Sequence, residues 1–542
     1  MNSFRTWFVL LALALGLVAI GPRAVAQSDK SAGNGAPAAS TAASEAEVEQ
    51  LREELAAQRR TIEQLKMLVE QLAEVKSRAP APANEGAHLI NASMPLPATP
   101  SVAPAAPAET ETEAEPLPDP YQKPAEKKEG ASPVSAGWNG EHFFIRSADG
   151  QFQIQPYGYI QTDYRSYTGD GAPPDTFTIR RARFGFQGNY GTHYQFALLI
   201  DAAPTAGSVL RDLYLNAKYN NALQVQAGQF KVPFAQEELT AVTNIDFVER
   251  GLQSLLYPNA ASAFRSPGAT IHGDLHDGAF QYWAGIFNGK GYATNNTTSV
   301  PETSGRVRFY PWRDKKDSAL QGFAFGGALD YSQTRGLSGE LTPAMAMPDV
   351  AYTWFPQFQA NGNVWRYLGE FTYLRGPLAL RDEYVSASWN RTGVGTLTLG
   401  GLGFSNLPNV RFQAWDTSIT YILTGEKQPE NGTPRVKHPV FGGGPEGPGG
   451  GGRGWGAWQL AFRYSGIQGN EPGIFFNNLQ TPQNVPTFNQ HTNQFTIGVN
   501  WYLNYWIRFT SNIDINQLKQ PSTIGATPQT YLVFLQRLQF RF

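Results

Sequence analysis

Residues 531–542 read Tyr531-Leu-Val-Phe-Leu-Gln-Arg-Leu-Gln-Phe-Arg-Phe542, an alternation of apolar and polar side chains. Successive side chains of a β-strand point to opposite faces, so the segment predicts one apolar face and one polar, cationic face. The apolar face carries Leu532, Phe534, Leu538, Phe540 and Phe542, interrupted only by Gln536, and the polar face carries Arg537, Gln539 and Arg541. A soluble sandwich would pack the apolar face against a second sheet, whereas a bacterial outer-membrane barrel would expose it to lipid and line a lumen with the polar face. The terminal aromatic residue is common in such barrels, but this strand alone leaves both fold classes open.

The first 26 residues have the composition of an export signal. Arg5 supplies positive charge, residues 7–20 are apolar, and Ala24-Val-Ala26 is a small-residue cleavage motif. The apolar run is shorter than the about 20 residues that a membrane helix needs, which favours cleavage over a retained anchor. The sequence contains 0 cysteines, so disulfides and a lipoprotein anchor are excluded. We therefore expect an exported protein.

Residues 45–78 contain a heptad pattern that predicts a coiled coil rather than a lone amphipathic helix. The repeating positions are Val48, Leu55, Ile62 and Val69, and Leu51, Gln58, Leu65 and Leu72. Residues 79–136 are rich in Pro and Ala and predict an extended spacer that rises about 3.1 Å per residue. The predicted organisation is a signal peptide at 1–26, a flexible segment at 27–44, the coiled coil at 45–78, the linker at 79–136 and a barrel at 137–542.

The last of these regions reads as short alternating strands separated by Gly, Pro, Asn and Asp. No later segment has 18 consecutive apolar residues, which excludes a helical membrane protein. Sixteen strands are predicted, from Phe152–Tyr164 to Tyr531–Phe542, and a change of phase within Val410–Leu423 predicts a bulge. An even strand number places both ends of the barrel, and with them the coiled coil, in the periplasm. The predicted fold is an all-β, 16-stranded antiparallel transmembrane barrel preceded by a short α-helical coiled coil.

Several motifs resemble the phosphate-selective porin O and P family. They include Phe177-Thr-Ile-Arg-Arg-Ala-Arg-Phe-Gly-Phe-Gln-Gly188, Gly228-Gln-Phe-Lys-Val-Pro-Phe234, Val248-Glu-Arg-Gly-Leu252 and Gly456-Ala-Trp-Gln-Leu-Ala-Phe-Arg-Tyr464. The resemblance covers residues 150–542 and implies a trimeric porin of the bacterial outer membrane that passes small anions by passive diffusion, without a cofactor. β-branched residues alternating with leucine in the heptads favour two strands instead, so the sequence leaves the number of subunits open.

The resemblance places the pair Arg180 and Arg181 at the pore constriction. Alternation turns Arg181 and Arg183 toward the lumen and Arg180 outward unless the strand bends. A guanidinium is always charged and matches the oxygens of phosphate-like anions, which favours an anion site over mere balancing of acidic loops. Lys231, Arg537 and Arg541 are further predicted lumen cations. We expect Arg181 to dominate anion preference, with Arg391, predicted near a strand end, as a neutral control.

The connection from Pro233 to Arg265 is the predicted third external loop, and a loop of this length can fold inward and narrow the lumen, although the sequence leaves open which loops do so. Its charged residues at the predicted constriction are Glu237, Glu238, Glu249 and Arg250. The family's phosphate channels carry a lysine near Glu238 and an arginine ladder that would follow Tyr331, where this chain has only Arg335 before Arg366. Adjacent carboxylates in a constriction repel phosphate. The sequence therefore predicts a preference for small anions with weak phosphate selectivity.

Other functions have less support in the sequence. A structural alternative is a tether, in which the coiled coil contacts the cell wall and the barrel is a plugged anchor. No enzyme motif is present, and His272 and His276 would lie about 13 Å apart on a strand, too far to share a metal. The glycine-rich segment 442–454 lacks the strand and helix of a nucleotide site. The formal net charge of −2 gives no indication of a nucleic-acid partner.

Overall fold

The computed structural model describes residues 134–138, 142–169, 172–203, 209–335, 340–342, 345–349, 353–355, 357–398, 401–441, 454–471, 474–476, 482–484, 488–519 and 530–542. The predicted signal peptide, flexible segment, coiled coil and most of the linker lie outside these residues. The strand Val134–Trp138 spans the predicted boundary between linker and barrel. In the described part of the chain, no helix is long and apolar enough to cross a membrane.

Sixteen antiparallel strands form a closed barrel, as predicted. They are β1 (Phe152–Tyr167), β2 (Thr176–Tyr190), β3 (Tyr194–Asp201), β4 (Leu210–Asn220), β5 (Leu223–Lys231), β6 (Arg265–Leu275), β7 (Phe280–Phe287), β8 (Glu302–Phe309), β9 (Phe323–Thr334), β10 (Gly362–Arg375), β11 (Leu378–Thr398), β12 (Gly401–Ile422), β13 (Ala457–Glu471), β14 (Phe488–Tyr502), β15 (Ile507–Lys519) and β16 (Thr530–Arg541). Each strand pairs with the next, and β16 closes the barrel by pairing with β1, from Val533 opposite Tyr167 to Arg541 opposite Tyr159. Closure leaves no unpaired strand edge.

Shorter elements accompany the barrel. The hairpin Val134–Trp138 and Phe143–Ser147 precedes β1 and pairs with it through Ile145 and Ile154. An α-helix at Gln236–Leu239 and 3-10 helices at Leu252–Leu256 and Ala260–Ser262 lie between β5 and β6. Two-stranded pairs connect Glu340–Leu341 with Gln359–Ala360, Met345–Ala346 with Thr353–Phe355, and Ile474–Phe476 with Pro482–Asn484.

Residues 232–264, which we call loop L3, fold into the barrel. Phe234, Val248 and Leu252 of L3 are fully buried and pack in one apolar cluster with the barrel wall. The wall and the β9–β10 connection contribute Phe355, Phe358, Val385, Trp389, Phe412, Val533 and Leu535 to this cluster. Burial of such a side chain contributes about 1.5–3 kcal/mol, so the cluster fixes L3 against one side of the lumen.

The inner face of β16 is therefore only partly polar. Leu538 and Phe540 are exposed on the outside and Arg537 and Gln539 are buried inside, which confirms the predicted faces. The inward residues Tyr531, Val533 and Leu535 are apolar and belong to the cluster around L3. The part of the inner face that contacts L3 is therefore an interior surface packed by apolar side chains rather than a wet one.

The predicted bulge within Val410–Leu423 is wrong. The register is continuous with β11 from Val410 to Tyr421 and with β13 from Arg411 to Ile422. Alternate residues face inward along this whole stretch, first the buried Val410, Phe412 and Ala414, then the buried Asp416, Ser418 and Thr420. The inward residues change from apolar to polar where contact with L3 ends. In the sequence, this change of polarity looks the same as a change in the alternation of the strand.

Candidate functional site

A β-bulge turns two consecutive arginines of β2 into the lumen. Gln161 of β1 pairs with Arg181 and Thr162 pairs with Ile179, which leaves Arg180 as the extra residue. Nε of Arg180 donates to Oε1 of Glu249 inside the barrel at 2.9 Å. Simple alternation would turn Arg180 outward unless the strand bends, and here a bulge inserts one residue and directs the side chain inward.

A second β-bulge lies two strands away, in β4. Leu199 of β3 pairs with Asp212 and Ile200 pairs with Leu210, so Arg211 is the extra residue. Arg211 and Asp212 both face the lumen, where Asp212 accepts two hydrogen bonds of 2.8 Å from Nε and Nη2 of Arg265. Sequence reasoning missed Arg211 and Arg265, because bulges and cross-strand pairs depend on register with a neighbouring strand.

Two adjoining cavities lie beside L3. We call the end of the barrel where β1 begins and β16 ends the termini end, and the opposite end the loop end. The loop-end cavity has a volume of about 710 Å³ and the termini-end cavity about 550 Å³. Both are lined by Arg183, Lys231, Val242 and Arg265, which we call the neck. Three of these four neck residues are cations.

Cations outnumber carboxylates around both cavities. The loop-end cavity is lined by Arg180, Arg181, Arg183, Arg211, Lys231, Arg250, Arg265, Lys290 and Arg366, against Asp201 and Glu249. The termini-end cavity is lined by Arg183, Lys231, Arg265 and Arg541, against Asp212. The sequence-predicted lumen cations Arg180, Arg181, Arg183, Lys231 and Arg541 thus line the cavities, together with Arg250 of L3. Charges this close together in a partly dry lumen act through a lower effective dielectric than water.

The neck cations have partners within the barrel. Arg183 donates from Nε to Oδ2 of Asp201 at 2.8 Å and from Nη1 to the hydroxyl of Tyr159 at 2.6 Å. Nζ of Lys231 donates to main-chain oxygens of L3, including that of Thr240 at 3.0 Å and that of Glu238. These contacts hold each cation in place while leaving it on the cavity wall.

Glu237 and Glu238 line neither cavity. Glu238 is fully buried, and its Oε2 accepts a hydrogen bond from the main-chain N–H of Ala235 at 3.2 Å. Burial raises the pKa of Glu238 well above its usual range, against the opposing effect of Lys231. Glu237 faces the opposite side of L3, where its carboxylate accepts from Gln253. Neither carboxylate therefore faces the two cavities that share the neck, whereas Glu237 lines a third, smaller cavity of about 50 Å³ between L3 and strands β10–β12.

Glu249 fastens L3 to the barrel wall through four arginines. Its carboxylate lies 2.7 Å from Arg165, 2.9 Å from Arg180, 3.3 Å from Arg537 and 3.6 Å from Arg181. Burial disfavours the charged form, but the arginines outweigh it and hold the pKa of Glu249 well below its usual range.

Two arginines differ from their predicted positions. Arg537, predicted to line the pore, is almost fully buried between Asp163 and Glu249 and lines neither cavity. Arg391 was expected near a strand end, but β11 continues to Thr398 and Arg391 is fully buried inside it, with Nε donating to the main-chain oxygen of Gln359 at 2.9 Å. Arg391 is consequently unsuitable as a neutral control.

The β12–β13 connection, described over residues 423–441 and 454–456, includes a segment that enters the lumen from the termini end. The carboxylate of Glu430 accepts from the hydroxyl of Tyr310 and from Nη2 of Arg308 at 3.4 Å. Asn431 Oδ1 accepts from Nδ2 of Asn244 in L3 at 3.2 Å, and Asn431 lines the termini-end cavity. The glycine-rich segment 442–454, for which the sequence predicted a flexible loop, lies outside the described residues except for Gly454.

Shortening this connection should widen the passage. Replacing residues 428–433 with two glycines is expected to raise single-channel conductance by roughly half or more, because conductance rises with the open cross-section. The control removes residues 315–317, which are exposed in the β8–β9 connection and line neither cavity. Equal conductance in the wild type and the shortened variant would show that the connection does not narrow the pore.

A closed, outwardly apolar sixteen-stranded barrel that encloses charged cavities is the architecture of an outer-membrane porin. The profile of the family described as phosphate-selective porin O and P matches residues 154–542, and the chain belongs to this family. The predicted resemblance is thus confirmed. The family and the fold indicate a channel of the outer membrane rather than an enzyme.

Comparison with solved structures gives distant likenesses. Outer-membrane expressed OmpT of Vibrio cholerae is 12% identical, with a TM-score of 0.44 over 72% of this chain and 98% of that one. The outer membrane channel DcaP of Acinetobacter baumannii is 10% identical, with a TM-score of 0.44 over 72% of this chain and 98% of that one. Pseudomonas putida OprB is 10% identical, with a TM-score of 0.38 over 74% and 95%. The comparison with curated protein sequences gave no match.

Proposed function

We propose that this porin conducts small anions by passive diffusion and that the neck sets its charge preference. The observation that carries the proposal is that Arg183, Lys231 and Arg265 line both cavities at the place where these adjoin. A fixed cation acts on an ion about 4 Å away with about 4 kcal/mol at an effective dielectric near 20. Arg183 and Arg265 are paired with Asp201 and Asp212, and Lys231 donates to main-chain oxygens, so the neck keeps a net positive charge that would attract anions and repel cations.

We expect phosphate to be favoured only weakly. Arg265 donates to both oxygens of Asp212, and Arg183 donates to Asp201 and to the hydroxyl of Tyr159, so N–H groups that a phosphate would require are already occupied. A tightly bound phosphate would have to displace those carboxylates. This reason replaces the repulsion by Glu237 and Glu238, since neither residue lines the two cavities that share the neck.

The proposal is tested with the purified protein in planar bilayers. We expect stable step conductances, and a reversal potential in a KCl gradient whose sign indicates chloride preference. Phosphate titrated against the chloride current should block only at millimolar concentrations. Block at micromolar phosphate would contradict weak selectivity, and insertion without conductance would contradict the channel itself.

The proposal includes orientation and assembly. The termini end faces the periplasm, which would place the N-terminal region and its coiled coil there, and the channel is a homotrimer in the outer-membrane bilayer. The support is the general topology of even-stranded barrels and the family relationship. Native mass spectrometry of the detergent-solubilised full chain should give three subunits, and protease added outside intact cells should spare residues 45–133.

The tether is the second candidate function, because L3 packs against the inner wall and Glu430 and Asn431 of the β12–β13 connection contact groups inside the barrel. In this alternative the coiled coil contacts the cell wall and the barrel passes little solute. Deleting residues 45–133 separates the two. A channel should keep its conductance, whereas a tether should lose cell-envelope integrity.

A further inference from the structure

The termini-end cavity has an aromatic wall that a channel for inorganic ions does not require. Its aromatic lining residues are Tyr157, Tyr159, Tyr214, Phe230, Trp283, Tyr505, Trp506 and Phe542. Small inorganic anions are strongly hydrated and gain nothing from apolar surface. Aromatic surface that faces a wet lumen instead favours contact with an apolar group by about 25 cal/mol per Å² that is covered.

The aromatic side chains that line this cavity come from several strands and from the β14–β15 turn. Tyr214 of β4 and Phe230 of β5 pack edge to face with ring centres 6.1 Å apart. Trp283 of β7 lies on the same wall, and Tyr157 of β1 lines the cavity as well. Tyr157 and Trp283 are only half-buried, so their rings are accessible from the cavity. The volume of about 550 Å³ lies in the range of pockets that bind small organic molecules.

Cations flank this aromatic wall on two sides. The neck with Arg183, Lys231 and Arg265 lies on one side, and Arg541, whose guanidinium lies 3.9 Å from the ring centre of Tyr505, lies toward the opening. Asp212 is the only carboxylate among the described residues that line this cavity, and Arg265 holds both of its oxygens. An occupant therefore meets positive charge at the neck and apolar surface along the wall.

We propose that the termini-end cavity is a binding site for organic anions that join a carboxylate to an aromatic or other apolar body. The carboxylate lies toward the neck, and the apolar body contacts the rings of Tyr157 and Trp283. The inference rests on the proposed anion channel and extends it by naming a substrate class. Acetate and other anions without an apolar body bind the cavity more weakly.

The test compares benzoate with acetate as blockers of chloride current through the full-length protein in planar bilayers. Benzoate is expected to halve the current at a concentration at least about tenfold lower than acetate, because burial of its ring adds apolar contact. Cyclohexanecarboxylate should resemble benzoate, and benzylammonium should not block. Equal block by benzoate and acetate would overturn the inference.

Two variants of the cavity wall test whether the stronger block by benzoate arises in this cavity. Trp283→Leu keeps an apolar side chain on the wall but removes the ring, and Tyr157→Ser removes a second ring. Each should bring the benzoate-to-acetate ratio closer to one and leave the reversal potential in KCl unchanged. Phe184→Leu is the matched control, because Phe184 is an aromatic residue on the outer face of β2. A ratio that survives both cavity variants, or that Phe184→Leu changes equally, would overturn the site.

Failure of this inference can be told apart from failure of the channel proposal. Chloride preference in the KCl gradient together with equal block by the two carboxylates contradicts the organic-anion site alone. A reversal potential that indicates potassium preference contradicts the proposed anion channel, whatever the two blockers do.

Discussion

Lys231→Glu is expected to shift the channel from anion preference toward cation preference. Lys231 is one of the three cations that line both cavities, and the substitution changes the neck by two charges. At about 4 Å and an effective dielectric near 20, one charge is worth about 4 kcal/mol. Screening by salt weakens this interaction energy. A tenfold change in the chloride-to-potassium permeability ratio nevertheless needs only about 1.4 kcal/mol, so we expect a change of at least tenfold. Reversal potentials in a KCl gradient measure this permeability ratio.

Lys231→Gln removes one charge without reversing it and should produce an intermediate shift. Lys427→Glu is the matched control, because Lys427 is exposed in the β12–β13 connection and lines neither cavity. Arg181→Glu provides the decisive comparison, since Arg181 lines only the loop-end cavity. If Arg181→Glu shifts the reversal potential as much as Lys231→Glu, selectivity belongs to the whole lumen and not to the neck.

Glu249→Gln is expected to destabilise the protein by about 3–5 kcal/mol, because removing one partner of a buried ion pair leaves uncompensated charge. Four arginines lie within 3.6 Å of this carboxylate, and Asp163 balances only part of their charge. Loss of Glu249 also releases the point where L3 is fastened to β1, β2 and β16. We expect a lower temperature of unfolding, measured by circular dichroism in detergent, and noisier open-channel current.

The control for Glu249→Gln is Asp277→Asn at an exposed turn, which likewise replaces a carboxylate with an amide. Asp277 has a φ of 54°, a conformation that asparagine also tolerates. The unfolding temperature of the Asp277→Asn variant should stay at the wild-type value. Wild-type stability and quiet current in Glu249→Gln would show that the arginine cluster does not need this carboxylate.

The pH dependence of the Glu249 contribution follows from the direction of its pKa shift. The folded pKa lies well below the ordinary value of 4.5, so the folded state favours the ionised carboxylate. Its stabilisation is fully present above pH 4.5 and is lost as the pH falls through the lower, folded pKa. The difference in unfolding temperature between wild type and Glu249→Gln should therefore be constant from neutral pH to about 5 and shrink only in stronger acid.

The strands could be predicted from the sequence because their signal is local. Alternation with a period of two requires only that neighbouring side chains point to opposite faces, so it assigns Arg537 and Leu538 to the inside and outside of β16 without reference to any other strand. The number of strands followed from the same signal. The family followed from motifs such as the one that contains Arg180 and Arg181, which are continuous in the chain.

The site depends on contacts between residues that are distant in the sequence. Arg180 points inward because β1 and β2 pair with a bulge, and that register is a property of two strands. Arg265 reaches the neck beside Lys231 through the pairing of β5 with β6, across the 33 residues of L3 at 232–264.

The sequence by itself determined that this protein is a closed barrel with an apolar outside and cations inside. Only the tertiary structure decided that Glu238 is buried within L3 while Glu249 meets four arginines, and that Val533 and Leu535 face an interior packed by a loop. The physical reason is range. Strand alternation is set by adjacent peptide units, whereas the path of a long loop is set by the apolar and charged surfaces of the barrel that it enters.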